Sequence, residues 1–190
     1  MAKVKLNPIL EQVRGQVGDL VFKRYGDEVV ISRKPERPET PPTERQLETR
    51  ERFRHATVYG RIAMADPESK ALYESAAHEK GVPLFSLAVA DFFNAPSVSE
   101  IDLSGYGGKA GDRIVILAHD DFQVTGVTVM LADGAGNELE SGAAVETPAR
   151  SGRYQYSATT DVTPGTAVSV RVTVTDRPGT EVRVEEGKRV

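Results

Sequence analysis

The sequence predicts an α+β chain in three parts: an N-terminal β-hairpin, a small module of three helices, and an antiparallel β-sandwich of about seven short strands. Three observations predict it. A short β-branched and aromatic run folded about a Gly-Asp turn opens the chain. Apolar residues recur at helical spacing between residues 43 and 96, and from residue 97 the period changes to 2. The expected boundaries are 1–42 for the hairpin and a proline-rich arm, 43–96 for the helices and 97–190 for the sandwich.

In the hairpin, Val17, Leu20, Val21, Phe22 and Tyr25 lead into Gly26-Asp27-Glu28, and Val29-Val30-Ile31 leads out. Gly15 and Gly18 precede the first strand and suit a bulge or a close backbone approach. An isolated two-stranded hairpin is marginal in water. This one must therefore pack on the helices that follow or on another subunit. Pro35, Pro38, Pro41 and Pro42 fall within eight residues, which favours extended polyproline II and a semi-rigid connector.

Thr43 with Gln46 three residues on fits a capping box. Leu47, Phe53, Ala56, Tyr59 or Gly60 and Ala63 form a helical stripe that should end near Ala65. Asp66-Pro67 restarts the pattern as N-cap and first helical residue, with Leu72, Tyr73, Ala76 and Ala77 facing inward and Gly81 closing the helix. A third helix, from Pro83 through Phe93, is apolar on most of its circumference and so is expected to be buried.

Beyond residue 97, Val168, Val170, Val172 and Val174 alternate with polar residues. So do Val127, Val129 and Leu131, Tyr154 and Tyr156, and Val182 and Val184. Such alternation marks sheets packed on one side. Ile114-Val115-Ile116-Leu117-Ala118 is apolar throughout and reads as a central strand. Gly-rich and Pro-Gly turns separate the runs, Pro178-Gly179 fitting the centre of a type II turn.

Composition narrows the chemistry. The chain has no cysteine, so disulfides, thiolate metal sites and thiol nucleophiles are excluded. No apolar run reaches the roughly 18–20 residues that span a bilayer. The lysines near Met1 lead into no signal-peptide core. The expectation is a protein that is cytoplasmic, or that reaches a particle or the exterior by a route without a cleaved N-terminal signal. Residues 1–65 hold 13 Lys and Arg against 9 Asp and Glu, a net +4, and residues 66–190 hold 11 against 19, a net −8. Opposite fields at the two ends favour head-to-tail encounter.

Each candidate for catalysis or ligand binding has a plainer reading. The 105–111 stretch, Gly-Tyr-Gly-Gly-Lys-Ala-Gly, lacks the Ser or Thr after Lys109 and the helix that a phosphate loop needs, so it reads as a loop between strands. His55, His78 and His119 are too far apart in sequence for a helical metal pair. Asp120-Asp121 with Asp133 and Asn137 offers oxygen ligands for calcium but lacks EF-hand spacing, and solvated turns are the default. Arg45, Arg50, Arg52, Arg54 and Arg61 alternate with Glu44, Glu48 and Glu51, a salt-bridged face rather than a nucleic-acid surface.

Gly15-x-x-Gly18, the Val21-Phe22 strand, the Gly26 turn, the proline connector and then Pro42-Thr43-x-x-Gln46-x-x-x-Arg50-x-x-Phe53 resemble an N-terminal module of uncharacterised bacterial proteins, some of them phage-like. The resemblance covers residues 1–65 and carries no catalytic residues. Residues 97–190 resemble the immunoglobulin-like accessory domains of virions, fibres and cell surfaces, without the Cys…Trp…Cys core of antibody domains.

These readings give the functional expectation: a non-enzymatic structural protein that self-assembles, as a filament or virion-type particle, and displays the sandwich. The expected assembly surface is Val17, Leu20, Phe22, Tyr25, Val29, Ile31, Pro35 and Pro38. The expected partner is the chain itself. No cofactor, catalytic residue or metal is expected, nor a membrane, nucleic acid or small-molecule ligand. The alternative is a monomeric immunoglobulin-like binding module for carbohydrate or protein, using Tyr106 and Phe122 as loop aromatics. An enzyme with a site assembled from distant residues is the third possibility, and no motif supports it.

Overall fold

The computed structural model describes residues 2–4, 14–25, 28–36 and 40–190. It is an α+β fold whose sheets are antiparallel. The chain divides into two compact units, Met1–Leu47 and Glu48–Val190.

The first unit holds four strands: β1 (Ala2–Val4), β2 (Gly15–Val17), β3 (Leu20–Tyr25) and β4 (Glu28–Arg33). They form one sheet in the order β1-β4-β3-β2. β3 and β4 are the expected hairpin, closed with Tyr25 opposite Glu28. The expected first strand is broken in two, because Gly18 and Asp19 turn the chain between Val17 and Leu20. Gly18 sits at φ +57°, a left-handed conformation that glycine adopts without steric cost. Val17 consequently pairs with Leu20 across the sheet. The Lys34 amide donates to the Asp19 carbonyl at 2.7 Å and ties the chain leaving β4 to this turn.

Helix α1 (Glu44–Ala65) opens with the expected capping box. The Gln46 amide donates to Thr43 Oγ1 at 3.3 Å, and the Thr43 amide donates to Gln46 Oε1 at 3.1 Å. Helix α2 (Pro67–Lys80) starts on Asp66, whose carboxylate accepts from the Ser69 amide at 2.9 Å. It ends on Gly81 at φ +65°, in a left-handed cap. Helix α3 (Leu84–Phe93) buries Leu87, Ala88, Val89 and Asp91 but leaves Phe85 exposed, so it is half-covered where full burial was expected. α1 and α3 meet at Gly60, where an added Cβ would lie 3.0 Å from Phe85 Cε2 and 3.3 Å from Val89 Cγ2.

The remaining strands are β5 (Ser97–Asp102), β6 (Arg113–His119), β7 (Val124–Asp133), β8 (Glu138–Ala143), β9 (Val145–Glu146), β10 (Arg153–Ser157), β11 (Ala167–Asp176) and β12 (Glu181–Arg189). There are eight where about seven were expected. They form two four-stranded sheets, β5-β6-β10-β9 and β12-β11-β7-β8. Ile114, Ile116 and Tyr156 from the first sheet share one core with Val127, Val129, Leu131 and the four β11 valines from the second. The alternation read in the sequence is thus the inward face of each sheet. Val168, Val170, Val172 and Val174 are all at most 2% exposed. Burial at that level is worth roughly 1.5–3 kcal/mol per side chain. β6 itself alternates between buried and half-buried positions, since Val115 and Leu117 point away from the shared core.

Candidate functional site

In an antiparallel pair, residues directly opposite one another project to the same face, and that face changes with every residue along the strand. Phe22 lies opposite Ile31, Leu20 opposite Arg33 and Val17 opposite Leu20. Val29 lies two residues before Ile31 on β4. The register therefore gathers Val17, Leu20, Phe22, Val29 and Ile31 on one face of the N-terminal sheet, together with Arg24 and Arg33. Gln16, Lys23 and Ser32 fall on the other, with Val21 and Val30. Burial is graded across the apolar face. Val29 is 3% exposed, Phe22 and Ile31 are half-buried, and Leu20 and Val17, toward β2, are 44% and 67% exposed.

Of the other expected assembly residues, Tyr25 ends β3 opposite Glu28. Pro35 is exposed after β4 and lines an open cleft with Asp19, Leu20, Arg33, Lys34 and Glu36. Pro38 lies outside the described residues.

The ligand motifs resolve into ordinary structure. In the 105–111 loop, Asp112 Oδ2 accepts from the Gly107 and Lys109 amides at 2.8 and 2.9 Å, and Asp161 accepts from Ala110 at 2.8 Å. The amides that a phosphate would need already hold carboxylates. Those hydrogen bonds keep the Asp112 carboxyl below its ordinary range. The calcium set is split: Asp120 precedes β7 and Asp133 ends it. A ten-residue strand separates its ends by about 30 Å. Asp133 instead accepts from the Ala135 and Asn137 amides in its own turn. Among the described residues, no group of three or more His, Asp or Glu side chains is arranged to hold a metal ion. Both aromatics proposed as loop ligands are part of the fold. Tyr106 is fully buried, and Phe122 stacks on Tyr73 with ring centroids 4.2 Å apart. On α1, Glu51 pairs with exposed Arg54 and His55, and Arg52 caps Phe93 with its ring 5.0 Å away.

One polar cluster has no counterpart in the sequence reading. Where the helices of the second unit meet the ends of its sheets, Tyr59 and Tyr73 hydroxyls lie 2.7 Å apart, and Tyr73 donates to Asp91 Oδ2. Asp120, in the β6–β7 turn, accepts from the Phe122 and Gln123 amides at 2.8 Å. Asp176, ending β11, accepts from the Thr180 amide at 2.5 Å. Each of these three carboxylates keeps a second, buried oxygen with no donor among the described residues. Around them, Lys80 donates to the Asp121 carbonyl and Asn94 to the Asp121 carboxylate, both at 2.6 Å, while Arg177 reaches Ser69 Oγ at 2.9 Å. The sequence held one signal for this cluster: Asp91 is the lone charge in α3, whose other residues are apolar except Ser86.

No protein-family model matches the sequence, and no curated protein matches it. Among solved structures, similarity is found to CopC from Methylosinus trichosporium OB3b. Identity is 13%, over 48% of this chain and 89% of that one, with a TM-score of 0.37. Similarity is also found to a conjugative transposon lipoprotein from Bacteroides eggerthii DSM 20697. Identity is 16%, over 50% of this chain and 94% of that one, with a TM-score of 0.25. At these scores neither contributes to the functional reading. No helix among the described residues is long and apolar enough to cross a membrane.

Proposed function

We propose that this chain is a non-enzymatic structural subunit that self-associates through the apolar face of its N-terminal sheet and displays the paired sheets as an immunoglobulin-like sandwich. The observation that carries the reading is the placement of Val17, Leu20, Phe22, Val29 and Ile31 on one face, with Leu20 and Val17 open to solvent toward the β2 edge. A sheet with one apolar face reaches its lowest free energy only when a second layer covers that face. A second copy supplies an identical face, and isologous contact satisfies both at once.

The test is size-exclusion chromatography with light scattering over a concentration series, on the full chain and on a chain lacking residues 1–42. The full chain is expected to gain mass with concentration and the truncated chain to stay monomeric. A full chain that remains monomeric at millimolar concentration contradicts the reading. The binding-module alternative is less favoured, because Tyr106 is fully buried and Phe122 is half-buried against Tyr73.

A further inference from the structure

We propose that the junction between the helices and the strand ends of the second unit is a proton-operated latch, in which Asp91 takes up a proton on its undonated buried oxygen and the junction tightens as it does so. Asp91 is 2% exposed and Asp176 is 1% exposed, and each holds one oxygen that no hydrogen-bond donor reaches among the described residues. The third such oxygen, on Asp120, lies in the turn that carries Phe122 onto Tyr73. Three carboxylates from three separate elements thus lie within electrostatic reach of one another at one junction. Burying an ionised carboxylate without full hydrogen bonding is costly, and adding like charges beside it costs more. Protonating one of the three removes both penalties.

The groups facing Asp91 can be named element by element. Tyr73 of α2 donates to Oδ2, and Tyr59 of α1 stands behind it. Asp120 of the β6–β7 turn and Asp176 of β11 repel its charge, while Arg177 after β11 favours it. Lys80 of α2 is committed to the Asp121 carbonyl. Burial is the largest influence and pushes the Asp91 carboxyl up to about 6, with the Tyr73 hydrogen bond opposing it and Asp120 adding to it. Asp176 is shifted in the same direction, again first by burial. Tyr73 is itself raised by burial, so its hydroxyl keeps its proton and remains a donor.

The sign follows from linkage. A carboxyl with a folded-state pKa above its unfolded value binds protons more tightly when folded. Its contribution is complete below the ordinary value of 3.8 and is lost as pH rises through about 6. Asp66, Asp102, Asp112, Asp133, Glu146 and Glu185 are all lowered. They destabilise on acidification only as the pH falls toward and below their ordinary range, so the window between about 4.5 and 7 belongs to the cluster.

The experiment is amide hydrogen exchange of α3 and the 120–123 turn at pH 7.5 and pH 5, corrected for the intrinsic pH dependence of exchange, on the full chain and on Asp91→Asn. The wild-type chain is expected to gain about tenfold protection at pH 5, and Asp91→Asn to show high protection at both values. Protection that is flat or falls on acidification overturns the proposal, as does a variant that keeps the wild-type pH response. Carbon-13 NMR of the Asp91 carboxyl in the wild-type chain tests it without any substitution. A midpoint near 6 supports the latch, and one near the ordinary carboxylate value overturns it.

Discussion

The N-terminal sheet and the sheet β12-β11-β7-β8 are both four-stranded and antiparallel, and each gathers apolar side chains on one face: Val, Leu, Phe and Ile on the first, Val and Leu on the second. The β11 valines meet a second sheet and are sealed from water. Among the described residues of the N-terminal sheet, Val29 alone is buried, and Val17 and Leu20 remain open. The same alternating pattern therefore yields a closed core in one place and an available surface in the other. That difference is the basis of the proposal that the N-terminal face associates while the paired sheets supply stability.

Substitutions of matched chemistry break this comparison apart. Val170→Asp, at a fully buried β11 position, puts an unpartnered charge into the shared core and should cost at least about 4 kcal/mol. Loss of the cooperative thermal transition checks it. Gly152→Ala should cost about 2–3 kcal/mol, because Gly152 sits at φ +69° and an added Cβ would lie 2.9 Å from the Ala118 carbonyl and 2.7 Å from the His119 ring. Denaturant unfolding measures that loss. Tyr73→Phe withdraws the side-chain donor that Asp91 has among the described residues and should cost about 1–3 kcal/mol. The cost should be larger at pH 7.5, where Asp91 is ionised, than at pH 5, as unfolding curves at the two values would show. Leu20→Glu, at the exposed end of the N-terminal face, should change stability by only about 0.5 kcal/mol or less while reducing self-association.

Much of this was legible in the sequence because local rules govern it. The Thr43–Gln46 capping box, the Asp66-Pro67 start and the Gly81 stop of α2 are short-range signals with short-range causes. So is the alternation that buries Ile114, Ile116 and the β11 valines. Of the eight residues expected to form the assembly surface, the register puts Val17, Leu20, Phe22, Val29 and Ile31 on one face, although the Gly18-Asp19 turn moved Val17 onto a different strand. A two-residue turn and a bulge look alike in sequence when a glycine could serve either. What stayed hidden was non-local. Asp91, Asp120 and Asp176 lie on three elements up to 85 residues apart, and only packing brings them together. Tyr106 read as a loop aromatic because glycines surround it, yet its ring enters the core. The calcium set failed for the converse reason: Asp120 and Asp133 are close in sequence, but a full strand runs between them.

In this proposal the N-terminal face associates and the paired sheets fold without it. Light scattering of the full chain beside Leu20→Glu, at matched concentrations and with thermal unfolding followed in the same samples, tests it most directly. The wild-type mass is expected to rise with concentration while the variant stays near monomer mass and keeps a cooperative unfolding transition at low concentration equal to that of the wild type. Equal masses for the two chains at every concentration would contradict it.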